Sequence, residues 1–196
     1  MKHFKTFKAL MLSVALTAMS LVGIPTDGMA KSKFVFANSS PYDTLDPHAI
    51  YDVGRVASRL NMYDGLMRWL DNPPKLTPWL AESYNISADG KTYTFKLRKG
   101  ATFHDGSPVE AKDVVYSIER ILALKKGAVS LFSKSIEPGS TQAPDNHTVV
   151  FNLNAASSIF LATVPAIHVV NSDLLKSKEV DGDWGGTWLS KNEAGS

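Results

Sequence analysis

The chain has 196 residues, 44% of them hydrophobic and 20% charged, with a formal net charge of +2 and no cysteine. That composition suits a globular chain long enough to bury a core, and the lack of cysteine excludes a disulfide framework, a thiolate metal site and a lipid anchor on a cysteine. Lys2, Lys5 and Lys8 against Asp27 account for the whole net charge near the N-terminus, so the remainder is neutral and has no electrostatic footprint for nucleic acid.

In chain order, Met1–Lys8 is basic and Ala9–Ile24 is an apolar run closed by Pro25, with small residues at Gly28-Met29-Ala30. This is the pattern of a cleaved secretory signal peptide over residues 1–30, with Lys31 as the mature N-terminus. A retained anchor is the competing reading, but the apolar run falls short of the roughly 20 residues that span a bilayer. Phe34-Val35-Phe36 predicts a first strand, followed by the polar loop from Asn38 to Tyr42. Val53, Val56, Ala57, Leu60 and Tyr63 recur at helical spacing, with Asp52 placed to favour the helix start and Gly65 to end it. Leu66–Leu70 reads as a short extended segment whose aromatic residue belongs to the core, and Asp71-Asn72-Pro73-Pro74 as a loop.

The middle of the chain changes period twice. Tyr93, Phe95 and Leu97 alternate with polar residues as in a half-buried strand, and Asp89-Gly90 turns it back onto residues 83–87 as a hairpin. Lys99-Gly100 and Asp105-Gly106 close two more turns, and Pro108 delays the next helix. From Ala111, the residues Val114, Val115, Ile118, Ile121 and Leu122 form an apolar stripe, with Lys112, Asp113, Glu119 and Arg120 expected largely outside it. Lys125-Lys126-Gly127 is expected to end that helix, cations suiting its negative pole and glycine its left-handed terminus. Residues 133–142 read as irregular, Asp145-Asn146 as a turn into a strand over 148–153, and residues 159–170 as a short helix followed by extended chain. The segment GDWGGTW, with Trp184 and Trp188, lacks the lysine and hydroxyl residue of a phosphate loop and reads as a surface turn with anchored indoles.

Little in the sequence invites catalysis. His104-Asp105 is the one suggestive pair, yet adjacent residues on an extended chain point to opposite faces, and Ser107 lies in no nucleophile elbow. Asp105 is therefore expected to cap a turn, beside a packed or hydrogen-bonded His104. His3, His48, His147 and His168 show no spacing that preforms a zinc site. No enzyme activity, metal site or cofactor is expected.

The run L-A-E-S-Y from Leu80, then S-A-D-G-K-T-Y-T-F-K-L-R-K-G from Ser87, then F-H-D-G-S-P-V-E-A-K-D-V-V-Y-S-I-E-R from Phe103 resembles the family 5 extracellular solute-binding proteins. Leu45-Asp46-Pro47, Tyr63-Asp64-Gly65-Leu66 and Thr148–Phe151 match further elements of that family, so the resemblance spans roughly Phe34 to Ser196. It implies an α/β, two-lobed type II periplasmic-binding-protein fold, present here only as its N-terminal part over residues 31–196. It implies a periplasmic receptor without a lipid anchor, monomeric at full length. Such a receptor captures a small peptide or similar solute between its lobes and hands it to the ABC permease of the inner membrane. The resemblance also nominates ligand contacts: Ser39 and Tyr42 in the loop after the first strand, and Gly195 and Ser196 at the opening of a glycine-rich loop. For Ser39 and Tyr42 a plain surface turn reads equally well. In the family the carboxylate that holds a ligand ammonium comes from the second lobe, and residues 31–196 alone are expected to be poorly stable and not to close on ligand. The competing reading is a free-standing interaction module derived from the first lobe. Dipeptide, oligopeptide, opine, sugar, haem and nickel chelate all stay open as ligands.

Overall fold

In a computed structural model, residues 43–196 are described. The expected signal peptide, the first strand at Phe34–Phe36, Ser39 and Tyr42 lie outside them. Helix α1 (Val56–Met62) leads to the hairpin of β1 (Met67–Leu70) and β2 (Lys75–Pro78), which turns through Asp71 at φ 70° and a cis Asn72–Pro73 bond. Strands β3 (Ala81–Ile86) and β4 (Thr92–Leu97) form the expected hairpin, with Gly90 at φ 68° in its turn. After the long helix α2 (Ala111–Leu124) and a 3-10 turn (Gly127–Leu131) come β5 (Thr141–Asp145) and β6 (Thr148–Asn152). They complete an antiparallel sheet in the order β3-β4-β6-β5. Short helices α3 (Phe160–Thr163), α4 (Ser172–Lys178) and α5 (Gly186–Leu189) follow, with a second 3-10 turn (Val164–Ala166) after α3.

Alternation makes the sheet. Tyr93, Phe95 and Leu97 of β4 are buried, as are Val149 and Phe151 of β6, while the edge strand β3 exposes every residue after Ala81. Phe95 meets Phe151 edge-on with centroids 5.7 Å apart, and Phe160 from α3 meets both Tyr93 at 4.8 Å and Phe151 at 5.5 Å. These tilted ring pairs add to the burial of large aromatic surface. Helix α2 closes the core through Val114, Ile118 and Ile121, all fully buried.

Two expectations for α2 fail, for one reason. Asp113 and Arg120 were expected largely outside the apolar stripe, yet they are 1% and 0% exposed. A second apolar cluster, including Tyr63, Val170, Leu175 and Leu189, covers the other side of the helix beside Tyr116. The helix is thus covered on two sides, and its flanking polar residues are satisfied by specific partners. Asp113 closes a capping box with Glu110 and accepts hydrogen bonds from Ser172 N and Oγ at 3.0 and 2.6 Å. The left-handed residue that ends α2 is Lys125, at φ 53°, and not the glycine. Gly127 instead opens the 3-10 turn, where a Cβ would lie 2.4 Å from the His48 carbonyl oxygen.

GDWGGTW is likewise more than a surface turn. It opens α5, and the Trp184 carbonyl accepts a 2.8 Å hydrogen bond from Arg120 Nε. Residues 133–142 hide the start of a further strand, β5, which pairs with β6 through a bulge between Gln142 and Asp145.

Candidate functional site

Helix α1 is short, and the expected apolar stripe is buried only at its end: Tyr63, just past the helix, is 1% exposed, whereas Val56 is 39%, Leu60 37% and Val53, ahead of the helix, 87% exposed. On the helix itself the buried residue is Arg59. The helix starts later than expected, so Asp52 lies outside its first turn, and Asp52 Oδ1 accepts from Arg55 N at 2.8 Å in the turn that precedes the helix. Val56 and Leu60, together with Tyr51 and Trp69, wall a cavity of about 430 Å³. Trp69, expected in the core, is 48% exposed. Pro165, Ala162 and Thr163 from the α3 region also line it, and Arg59, Asp64, Arg68 and His168 are among its polar residues. The size and the mostly apolar lining with a few convergent polar groups are those of a small-molecule site.

The polar lining is held from behind. His168 is joined to Gly65 by an antiparallel bridge, and Val169 N donates to Asp64 O at 2.8 Å. The His168 carbonyl accepts a 2.8 Å hydrogen bond from His48 Nε2. His48 Nδ1 lies 3.0 Å from Arg120 Nη1, which can only donate, so the His48 proton sits on Nε2. Arg120 in turn grips Asp46 with both terminal nitrogens, at 2.8 and 2.7 Å. Burial would raise the Asp46 carboxyl, but the Arg120 hydrogen bond and charge outweigh it and hold the group below the usual carboxylate range. Burial, reinforced by the Arg120 charge, pushes His48 down to about 3, and burial pushes His168 down to about 4. Both imidazoles are therefore neutral at pH 7.

Arg59 donates from Nη1 to Ile50 O at 3.1 Å and from Nη2 to Asp52 O at 3.0 Å, fixing the loop that carries Tyr51. Its guanidinium lies 5.1 Å from the Tyr51 ring centre. Arg59 Nε and His168 Nε2 are both buried without a hydrogen-bond partner. The second guanidinium of the cavity, Arg68, is engaged: it donates to Leu60 O at 2.7 Å, lies 3.7 Å from Asp64 and stacks 4.8 Å over Trp79. The arrangement can bind an apolar group. Nucleophile, base and acceptor are not assembled in it.

Gly195 and Ser196, nominated from the sequence, lie apart from this cavity. Gly195 lines a smaller depression with His104, Asp105 and Asn171. Its nitrogen donates to Glu193 Oε2 at 2.8 Å, its oxygen accepts from His104 N at 2.9 Å, and a Cβ there would fall 1.6 Å from the Met62 carbonyl oxygen. Ser196 lines another depression with Trp79 and Arg98, and Asp64 borders both that depression and the main cavity. Asp105 caps its turn as expected, accepting from Ser107 N at 2.9 Å, and His104 Nδ1 lies 2.8 Å from Glu193. Sequence reasoning missed Arg59 and His168. No spacing marks them, because the Gly65–His168 bridge joins segments far apart in the chain.

Residues 75–196 match the family model described as bacterial extracellular solute-binding proteins, family 5 Middle. The probable D,D-dipeptide-binding periplasmic protein DdpA of Escherichia coli K12 is 30% identical to the chain, over all of the chain and 38% of the relative. The glutathione-binding protein GsiB of the same strain is 35% identical over 71% of the chain and 28% of its own length. Among solved structures, the periplasmic binding protein DppA of Helicobacter pylori, in complex with the peptide STSA, superposes with a TM-score of 0.67 at 28% identity. That match covers 78% of the chain and 33% of the other.

Proposed function

The chain belongs to the family 5 bacterial extracellular solute-binding proteins, a family of transport receptors and not of enzymes, and from that membership we propose that it captures a peptide or peptide-like solute for an ABC importer. Its fold is the α/β fold of the type II periplasmic binding proteins, and it spans 38% and 28% of the length of the two relatives described above. In this reading the described residues supply one wall of the ligand cleft, and binding is coupled to closure of a second lobe and delivery to the permease. The protein is exported by a signal peptide over residues 1–30 and works in the periplasm. Ser39, Tyr42, Gly195 and Ser196 border the ligand in the closed receptor.

The observation that carries the reading is the family match over residues 75–196. Relatives whose names specify a D,D-dipeptide or glutathione as ligand support a peptide-like solute. The test is uptake. Deleting the gene from its host is expected to abolish import of at least one radiolabelled member of a panel holding L-dipeptides, D-alanyl-D-alanine and glutathione, with restoration by a plasmid copy. Unchanged uptake of every member would contradict the proposal.

A further inference from the structure

Five Asp-Gly steps occur in the sequence, at Asp27, Asp64, Asp89, Asp105 and Asp181, and the first lies outside the described residues. In such a step the next backbone nitrogen, unhindered by a side chain of its own residue, can attack the carboxyl carbon of the aspartate. Attack requires a carboxyl that is free and a backbone that can turn it onto that nitrogen, and the described turns differ in both. Asp89 accepts hydrogen bonds from Ser87 Oγ and, at 3.1 Å, from Lys91 N. Asp105 accepts from Ser107 Oγ, from Ser107 N at 2.9 Å and from Asn171 Nδ2 at 3.0 Å. Asp64 lies 3.7 Å from Arg68, and its backbone is locked. Its carbonyl accepts from Val169 N at 2.8 Å, while Gly65 is bridged to His168 and accepts from Leu80 N at 3.2 Å.

Asp181 differs from these three. Among the described residues its carboxylate has no hydrogen-bond or ion-pair partner, and both Asp181 and Gly182 are exposed. The backbone bond that closes their turn runs from Asp183 N to Val180 O at 3.0 Å, so it does not use the Gly182 nitrogen. Asp181 sits at φ 51°, where an L-residue is strained, so rotating it until its carboxyl reaches Gly182 N costs less than leaving a relaxed conformation. We propose that Asp181-Gly182 is a modification site at which the protein converts spontaneously to its isoaspartyl form. The Gly182 nitrogen bonds to Asp181 Cγ as the Cγ–OH bond breaks, and the amide proton departs with that hydroxyl as water, leaving a succinimide ring. Water then adds to the main-chain carbonyl of the ring, the bond from that carbon to the Gly182 nitrogen breaks, and the nitrogen regains a proton. The chain thereafter runs through Cγ, with a free α-carboxylate and one more backbone carbon. The added carbon falls between α4 and α5, beside Asp183, whose carboxylate holds Val180 N at 3.0 Å, Gly185 N at 2.9 Å and Thr187 N at 2.8 Å.

The test ages the full chain at neutral pH and sequences its peptides by electron-transfer fragmentation, which tells isoaspartate from aspartate. Isoaspartate is expected at position 181 at least about 10-fold above positions 64, 89 and 105, the factor supplied by one charge-assisted hydrogen bond that must first be given up. Ser87→Ala, which removes one of the two donors on the exposed Asp89, is expected to raise isoaspartate at position 89 and leave position 181 unchanged. Isoaspartate absent from position 181, spread evenly over the four positions or concentrated at 64, 89 or 105 overturns the assignment. A Ser87→Ala chain with no increase at position 89 overturns its physical cause.

Discussion

Arg120 joins three segments that are distant in the chain: the Asp46–His48 turn, helix α2 and the Trp184 carbonyl. Replacing Asp46 by Asn would leave a fully buried guanidinium without its counter-charge, so a loss of about 3–5 kcal/mol is expected in urea unfolding. Acid should weaken the fold through its two buried imidazoles. His48 and His168 are held down to about 3 and about 4, so between those values and the unfolded value near 6.5 the unfolded chain binds more protons. Stability is then full above pH 6.5 and falls as pH drops, by up to about 1.4 kcal/mol per pH unit for each histidine. The Asp46 contribution follows below pH 4, while Asp113, raised by burial, acts with the opposite sign just above its ordinary value. Denaturation midpoints measured from pH 7.5 to 5 should show this slope, and His168→Gln should reduce it; a flat profile would contradict the neutral, buried imidazoles. Gly195→Ala tests a different constraint, since a Cβ would sit 1.6 Å from a backbone oxygen of Met62. A cost of about 1–3 kcal/mol or more is expected, whereas Gly139→Ala, at φ 80° in open space, should show only the smaller penalty of a left-handed backbone, about 1–2 kcal/mol.

At the scale of elements, α2 is the piece on which the others are mounted. Its first turn is fastened to α4 through Asp113, whose Oδ1 takes both the nitrogen and the hydroxyl of Ser172. Asp113→Ala removes a helix cap and leaves those buried donors unpaired, at about 2–4 kcal/mol in all. Hydrogen exchange over Ser172–Lys178 should accelerate more than over β4, and uniform acceleration would contradict a local fastening. The strands β4 and β6 and the extent of α2 were legible because each has one period and turn residues at its ends, and β3 was legible only through the Asp89-Gly90 turn that folds it onto β4. The burial of Asp113 and Arg120 was not, because it depends on a second cluster built from residues 170–194. The same holds for α1: its apolar stripe was legible and its exposure was not, since periodicity says which side chains share a face but not what that face meets. Strand β5 was missed because its composition, Thr-Gln-Ala-Pro-Asp, is that of an edge.

For the whole molecule, the family could be read from the turn-and-charge pattern between Leu80 and Arg120, whereas the cavity beside α1 could not. Ser39 and Tyr42 lie outside the described residues, and Gly195 and Ser196 sit in depressions beside the main cavity. Arg59 and His168 meet there only because the chain folds residue 168 back against Gly65. We propose above all that this protein binds a peptide-like solute. The most direct test is native mass spectrometry of the protein purified from the periplasm of its own host, with and without added dipeptides. The expected result is a mature chain beginning at Lys31 that carries an exchangeable adduct of peptide mass. A protein that retains residues 1–30 and takes up no member of the dipeptide panel would contradict it.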